Sequence, residues 1–182
     1  VINGADFDLT LDSIPSVNFT GVKFVQMNGS IQIKGAQQVI MTDLCLDDAV
    51  SVSNNFFVIK DNDNFTLQRT IVTIANGSEI INFSHSGSGT QPKTARIENI
   101  TLNFLNNTNK IRPEAQSESY FRFNVELLNN SSEITMSNIS FQNKGLIQVF
   151  PLLFEVSGWQ NASFQAMNLS DQAFHISRNG AF

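Results

Sequence analysis

The stretch Ala95–Phe104, ARIENITLNF, decides the architecture, and Glu133–Phe141, EITMSNISF, repeats it. In the first, Ala95 and Ile97 alternate with polar residues, Glu98 and Asn99 interrupt, and Ile100 and Leu102 resume the alternation. In the second, Ile134, Met136, Ile139 and Phe141 fall at the same spacing. Apolar residues at every second position mark a strand with one buried face. A two-residue interruption inverts the phase, so both pairs reach one core only if the chain turns between them.

The same unit recurs on either side. Val39, Met41, Leu44 and Leu46 form one copy, in VIMTDLCL (Val39–Leu46), and Val17, Phe19, Val22 and Phe24 form another. Phe65 and Leu67 open a further copy, completed by Thr70 and Val72, or by Ile71 in a register shifted by one. Phe164, Ala166 and Leu169 make most of a sixth. After each unit comes a short alternating run: Ile31 and Ile33, Val50 and Val52, Ile80 with its neighbours, Phe121 and Phe123, Ile147 and Val149, Phe174 and Ile176. Three short strands per repeat of more than about 20 residues describe one layer of a parallel β-helix. Polar segments of unequal length, such as Ser84–Pro92 and Asn106–Ser119, then hang from its corners. The expected fold is all-β, a right-handed parallel β-helix (solenoid) of about six layers, with residues 1–182 as a single domain. No helical period is sustained anywhere.

The second residue of the two-residue turn is Gly21, Asp43, Asn99, Asn138 or Asn168, with Arg69 as the exception. Glycine, asparagine and aspartate tolerate the left-handed backbone that a sharp turn between strands demands. With these turns the chain resembles the pectin-lyase-like superfamily of right-handed parallel β-helices. The resemblance covers almost the whole chain and implies that Asp43, Asn99, Asn138 and Asn168 stack into an internal turn ladder. It says little of function, because one fold hosts many activities.

Composition narrows the function classes. Charged residues are 15% of the chain and the net charge is −5, which excludes a basic nucleic-acid binder. One cysteine, Cys45, excludes a disulfide scaffold. The richest apolar stretch, Leu146 to Val156, is broken by Gln148, Pro151 and Glu155, so no membrane-spanning helix is expected. A basic start followed by an apolar run is also missing, so the sequence reads as a processed or excised piece, or as one exported by another route.

Asparagine provides the clearest functional signal. The chain has 22 Asn and 30 Ser plus Thr, from which random placement gives roughly 4 Asn-x-Ser/Thr glycan acceptors. Twelve are present, none with proline in the middle. Asn28, Asn64, Asn76, Asn106, Asn129, Asn130 and Asn161 lie outside the apolar slots and are the leading candidates, with Asn18 and Asn82 beside them. Asn99, Asn138 and Asn168 are both turn residues and acceptors, and an inward ladder would hide them. Sugar transfer takes place in the secretory lumen, so the expectation is a secreted or cell-surface protein carrying N-linked glycans and needing no other cofactor.

Other chemistry is sparse. Asp47 and Asp48, in LDDAVSV (Leu46–Val52), look like the paired-aspartate turn of polygalacturonases, which hydrolyse an acidic polysaccharide with inversion. No Asn-Thr-Asp precedes the pair, no His-Gly follows it, and Lys144 and Arg178 lack the matching context. Lys60–Phe65, KDNDNF, is an oxygen-rich tract of the kind that contacts a hard cation, but it lacks the glycine and distal glutamate of a calcium loop. His85 and His175 share no spacing with Cys45 that would make a metal site. Cys45, between Leu44 and Leu46, is turned away from the core and is a candidate for pairing with another chain. Trp159 and the 16 Phe suit either a sugar-binding face or dry stacking, and a single Tyr, Tyr120, favours the latter.

Three functions follow. The first is a non-catalytic structural or adhesive glycoprotein of a surface or fibre. The second is a polysaccharide hydrolase or lyase, or its remnant, acting through Asp47 and Asp48, and the third is a carbohydrate-binding module. Phe7, Leu9 and Leu11 alternate as if already inside a stack, and no amphipathic cap is visible at either end. The expected partners are therefore further layers, from a longer chain or from copies stacked end to end.

Overall fold

The computed structural model describes residues 1–3, 8–26, 29–47, 56–74, 81–85, 93–104, 121–125, 132–142, 154–168 and 174–177. These residues are all-β, with no helix among them. One nine-stranded sheet holds β1 (Ile2–Asn3), β3 (Ser16–Thr20), β4 (Lys23–Val25), β6 (Gln38–Thr42), β7 (Cys45–Asp47), β9 (Asn64–Ile74), β11 (Lys93–Phe104), β13 (Ser132–Gln142) and β15 (Asn161–Asn168). A seven-stranded sheet holds β2 (Leu9–Asp12), β5 (Ile31–Lys34), β8 (Phe57–Lys60), β10 (Ile81–His85), β12 (Phe121–Val125), β14 (Phe154–Ser157) and β16 (Phe174–Ser177). Each return of the chain lands beside the strand it formed one repeat earlier. Every pairing among the described residues is parallel, as in β11 with β13 and β10 with β12.

Register places equivalent residues of successive repeats in columns. On the inner face of the larger sheet, Val17 aligns with Val39, then Phe65, Ala95 and Ile134, all of them buried. Across the core, Ile31, Phe57, Ile81, Phe121 and Phe154 form the matching column of the smaller sheet. Flat rings suit such columns, because strands about 4.8 Å apart carry them at stacking distance. Phe121 and Phe154 stack with centroids 4.9 Å apart, and Phe83 stacks on Trp159 at 5.7 Å.

The bend inside each unit of the larger sheet is a left-handed residue. Gly21 (φ 68), Asp43 (φ 56), Arg69 (φ 49), Asn99 (φ 57), Asn138 (φ 54) and Ala166 (φ 51) occupy it in successive repeats. Arg69 thus joins the column despite being a residue that visits this region at a cost. The sixth repeat corrects the sequence reading. Pairing of Ile134 with Ala162 and of Ile139 with Met167 puts Ala166, not Asn168, opposite Asn138, while Asn168 continues the strand beside Ser140. Asn168, between Ala166 and Leu169, matched the turn composition, but register is fixed by the neighbouring strand. In the third repeat the unshifted register holds: Thr70 is buried and Ile71 is 45% exposed.

Two short strands also lie elsewhere than composition suggested. Phe57 and Ile59 fill the slot expected for Val50 and Val52, and Phe154 and Val156 fill that expected for Ile147 and Val149. The displaced valines and isoleucine fall outside the described residues. Larger aromatic side chains fill the core where smaller β-branched runs were expected. Trp159 is likewise interior, its indole N–H donating to Phe123 O at 2.9 Å, and so belongs to no sugar-binding face.

Candidate functional site

Strand alternation gives the larger sheet an outer face of amides and hydroxyls. On β3, β9 and β15 the acceptor triplets Asn18-Phe19-Thr20, Asn64-Phe65-Thr66 and Asn161-Ala162-Ser163 run along the strand. Their first and third residues share the outer face and the middle one points inward. Asn18, Asn64 and Asn161 are exposed. Asn82, on the outer face of β10, is half-buried. Asn99 and Asn138 reach solvent from the left-handed turn. Asn168 lies in β15, and Asn28, Asn76, Asn106, Asn129 and Asn130 fall outside the described residues.

The turn ladder therefore faces outward, which corrects the internal ladder that the resemblance implied. Asp43, Arg69, Asn99 and Asn138 are all exposed at the bend, and it is the residue after each of them, Leu44, Thr70, Ile100 and Ile139, that turns into the core. Along this column Asn138 Nδ2 donates to Asn99 Oδ1 at 3.1 Å, and Arg69 holds Asp43 through two bonds of 2.7 and 2.8 Å. Hydrogen bonding from the Arg69 guanidinium keeps the Asp43 carboxyl below the usual carboxylate range, and the same contact raises Arg69. Beside the column, Glu98 accepts from Gln68 at 2.9 Å and from Arg96 at 2.6 Å, which raises Arg96.

The asparagine that does bridge repeats internally is Asn62, which sequence reading passed over as part of a polar corner. It is 0% exposed. Its Oδ1 accepts from Ala36 N at 2.7 Å, and its Nδ2 donates to Lys60 O at 3.0 Å and Ile33 O at 3.3 Å. The signal was present: Gly35-Ala36, Asp61-Asn62 and Gly158-Trp159 each pair a left-handed residue with a buried one. At Gly158 an added Cβ would sit 1.6 Å from Val125 O, so only glycine fits.

The tract Asp61–Asn64 sends its oxygens to separate partners. Asp61 lies 3.7 Å from buried His85, Asn62 holds main-chain groups, Asp63 pairs with buried Lys93, and Asn64 accepts from Thr94 at 2.6 Å. Asp47 is on an outer column with Lys23 at 3.1 Å, while Asp48 lies outside the described residues. Cys45, on the same face and half-buried, neighbours Lys23 and Ile71 in register. No cluster of three His, Cys, Asp or Glu able to hold a metal occurs among the described residues. Comparison with protein families, with curated proteins and with solved structures gives no match for this chain.

Proposed function

We propose that the chain is a right-handed parallel β-helix of the pectin-lyase-like kind, exported and N-glycosylated, serving as a non-catalytic structural or adhesive element of a cell surface or fibre. The observation that carries this reading is the placement of the acceptors. Of those whose side chains are described, Asn18, Asn64, Asn99, Asn138 and Asn161 are exposed and Asn82 is half-buried, while fully buried Asn62 heads no acceptor triplet. A folded chain of this kind accommodates sugars on its outside without breaking its core.

The work is mechanical. Parallel ladders bond every repeat to the next, so pulling one layer away means breaking several backbone hydrogen bonds together. Glycans hydrate the outer faces and obstruct unwanted strand pairing. Half-buried Leu9, Leu11, Phe164 and Met167, at the two ends of the sheets, receive further layers of the same kind, from a longer chain or from neighbouring copies. The test is intact mass of protein secreted by a eukaryotic host, before and after enzymatic removal of N-glycans. A large fall in mass is expected, and an unchanged mass refutes the glycosylated reading. Cleavage of polygalacturonate that is lost in Asp47→Asn would refute the non-catalytic one.

A further inference from the structure

N-linked sugar is attached to the asparagine side-chain nitrogen, Nδ2, and the described acceptors differ in what that atom does. Asn64 ties three successive repeats together: its Nδ2 donates to Gln37 O at 3.2 Å, while its Oδ1 accepts from Thr94 Oγ1 at 2.6 Å. Asn138 uses its Nδ2 to hold Asn99 at 3.1 Å. In Asn99 the oxygen is the bonded atom, and in Asn18 it is also the oxygen that accepts, from Thr20 Oγ1 at 2.6 Å. Among the described residues, Nδ2 of Asn18, Asn99 and Asn161 donates no hydrogen bond.

We infer that the fold sorts its acceptors: Asn18, Asn99 and Asn161 carry the sugars, and Asn64 and Asn138 stay unmodified because their side-chain nitrogens join neighbouring repeats. The inference rests on the glycosylated reading above and sharpens it. A sugar on Asn99 leaves Oδ1 in place to accept from Asn138, so the contact between the two turns survives. A sugar on Asn138 sits on the atom that touches Asn99, one strand spacing of about 4.8 Å away. At Asn64 it sits against the main chain of the preceding repeat, on a side chain also bonded to the following one. Transfer precedes folding, so the sorting acts on which glycoforms fold and leave the cell. Asn18 and Asn161 lie on the outer face of the larger sheet and Asn99 at the bend in the middle of β11, which makes that side of the molecule the sugared one.

The test reads each site separately in secreted protein. Enzymatic deglycosylation in heavy-oxygen water converts every modified Asn to labelled Asp, located by peptide mass spectrometry. Label is expected at Asn18, Asn99 and Asn161 and missing at Asn64 and Asn138. Intact masses give a second measure. Thr20→Ala, Thr101→Ala and Ser163→Ala, which destroy a triplet while keeping its asparagine in the chain, each remove one glycan. Thr66→Ala and Ser140→Ala remove none. Label at Asn64 or Asn138 overturns the inference, as does label confined to acceptors other than these five, and both outcomes leave the glycoprotein reading standing. Absence of label from every acceptor overturns the two together.

Discussion

Replacing Asn62 by alanine tests the internal join between repeats directly. The substitution removes the acceptor of the 2.7 Å bond from Ala36 N–H and both donations to Lys60 O and Ile33 O. Ala36 is buried, so losing this partner costs about 1–3 kcal/mol. Lys60 O keeps the Gly35 N–H at 3.0 Å, which makes its loss small, and the weaker Ile33 bond at 3.3 Å adds about 0.5–1 kcal/mol. With the cavity left behind, the expected destabilisation is about 2–4 kcal/mol, a large share of a typical folding free energy. Urea unfolding followed by the fluorescence of Trp159, the single tryptophan and a buried one, measures it. Exposed Asn64→Ala is the control and should lose less than about 1 kcal/mol. Asn62→Asp adds a pH signature. Its carboxyl still accepts from Ala36 N–H but, when ionised, faces two carbonyl oxygens in a buried site, which raises its folded pKa. Ionisation is then disfavoured in the fold, so this variant grows less stable as pH rises above about 4. A loss for Asn62→Ala no larger than for Asn64→Ala would refute the assignment of Asn62 as an internal bridge.

At Gly158 any side chain meets Val125 O in a left-handed backbone, so Gly158→Ala should cost about 3 kcal/mol or more, or prevent folding; a wild-type urea midpoint contradicts this. Thr70→Asp places a charge in the core and should abolish the folded state, whereas Ile71→Asp on the outer face should change stability by about 0.5 kcal/mol or less; circular dichroism melts of both decide the register of the third repeat. Arg69 lowers the folded pKa of Asp43, so the stability from this pair is complete above the usual carboxylate range and is lost as pH falls through the lower folded value. Carboxyl-carbon NMR titration should show the Asp43 midpoint moving up in Arg69→Ala, and an unmoved midpoint would mean the pair does not form in solution.

Much of the architecture was legible because a strand with one buried face writes its own alternation. The units at Val17, Val39, Ala95 and Ile134 pair in register as their spacing demanded, and the left-handed turns at Gly21, Asp43, Asn99 and Asn138 followed from residues that tolerate that backbone. Legibility failed where composition and register disagree. Arg69, in a strand paired on both sides, and Ala166, in one paired with β13, take the left-handed turn because register with the neighbouring strands obliges them to, at a local cost their own chemistry does not advertise. The short strands at Phe57 and Phe154 were misplaced because other alternating pairs, at Val50 and Ile147, lay nearer in sequence. For the candidate site, acceptor triplets are readable by eye, and the strand pattern of polar, apolar, polar explains why Asn-Phe-Thr occurs at Asn18 and Asn64 and Asn-Phe-Ser at Asn82. What each side-chain nitrogen does was not readable, since its partner sits a full repeat away.

By itself, then, the sequence determined an all-β chain built from bent, one-sided strands, and it marked the asparagines that qualify as acceptors, because periodicity and triplet chemistry are local properties. Which asparagine turns inward and which turns out was settled only in three dimensions. Asn62 and Asn64 stand two positions apart in one polar tract, yet a left-handed residue at Asp61 sends the first into the core and leaves the second on the surface. That difference comes from contacts with residues about 30 positions away, and tertiary packing alone brings such partners together.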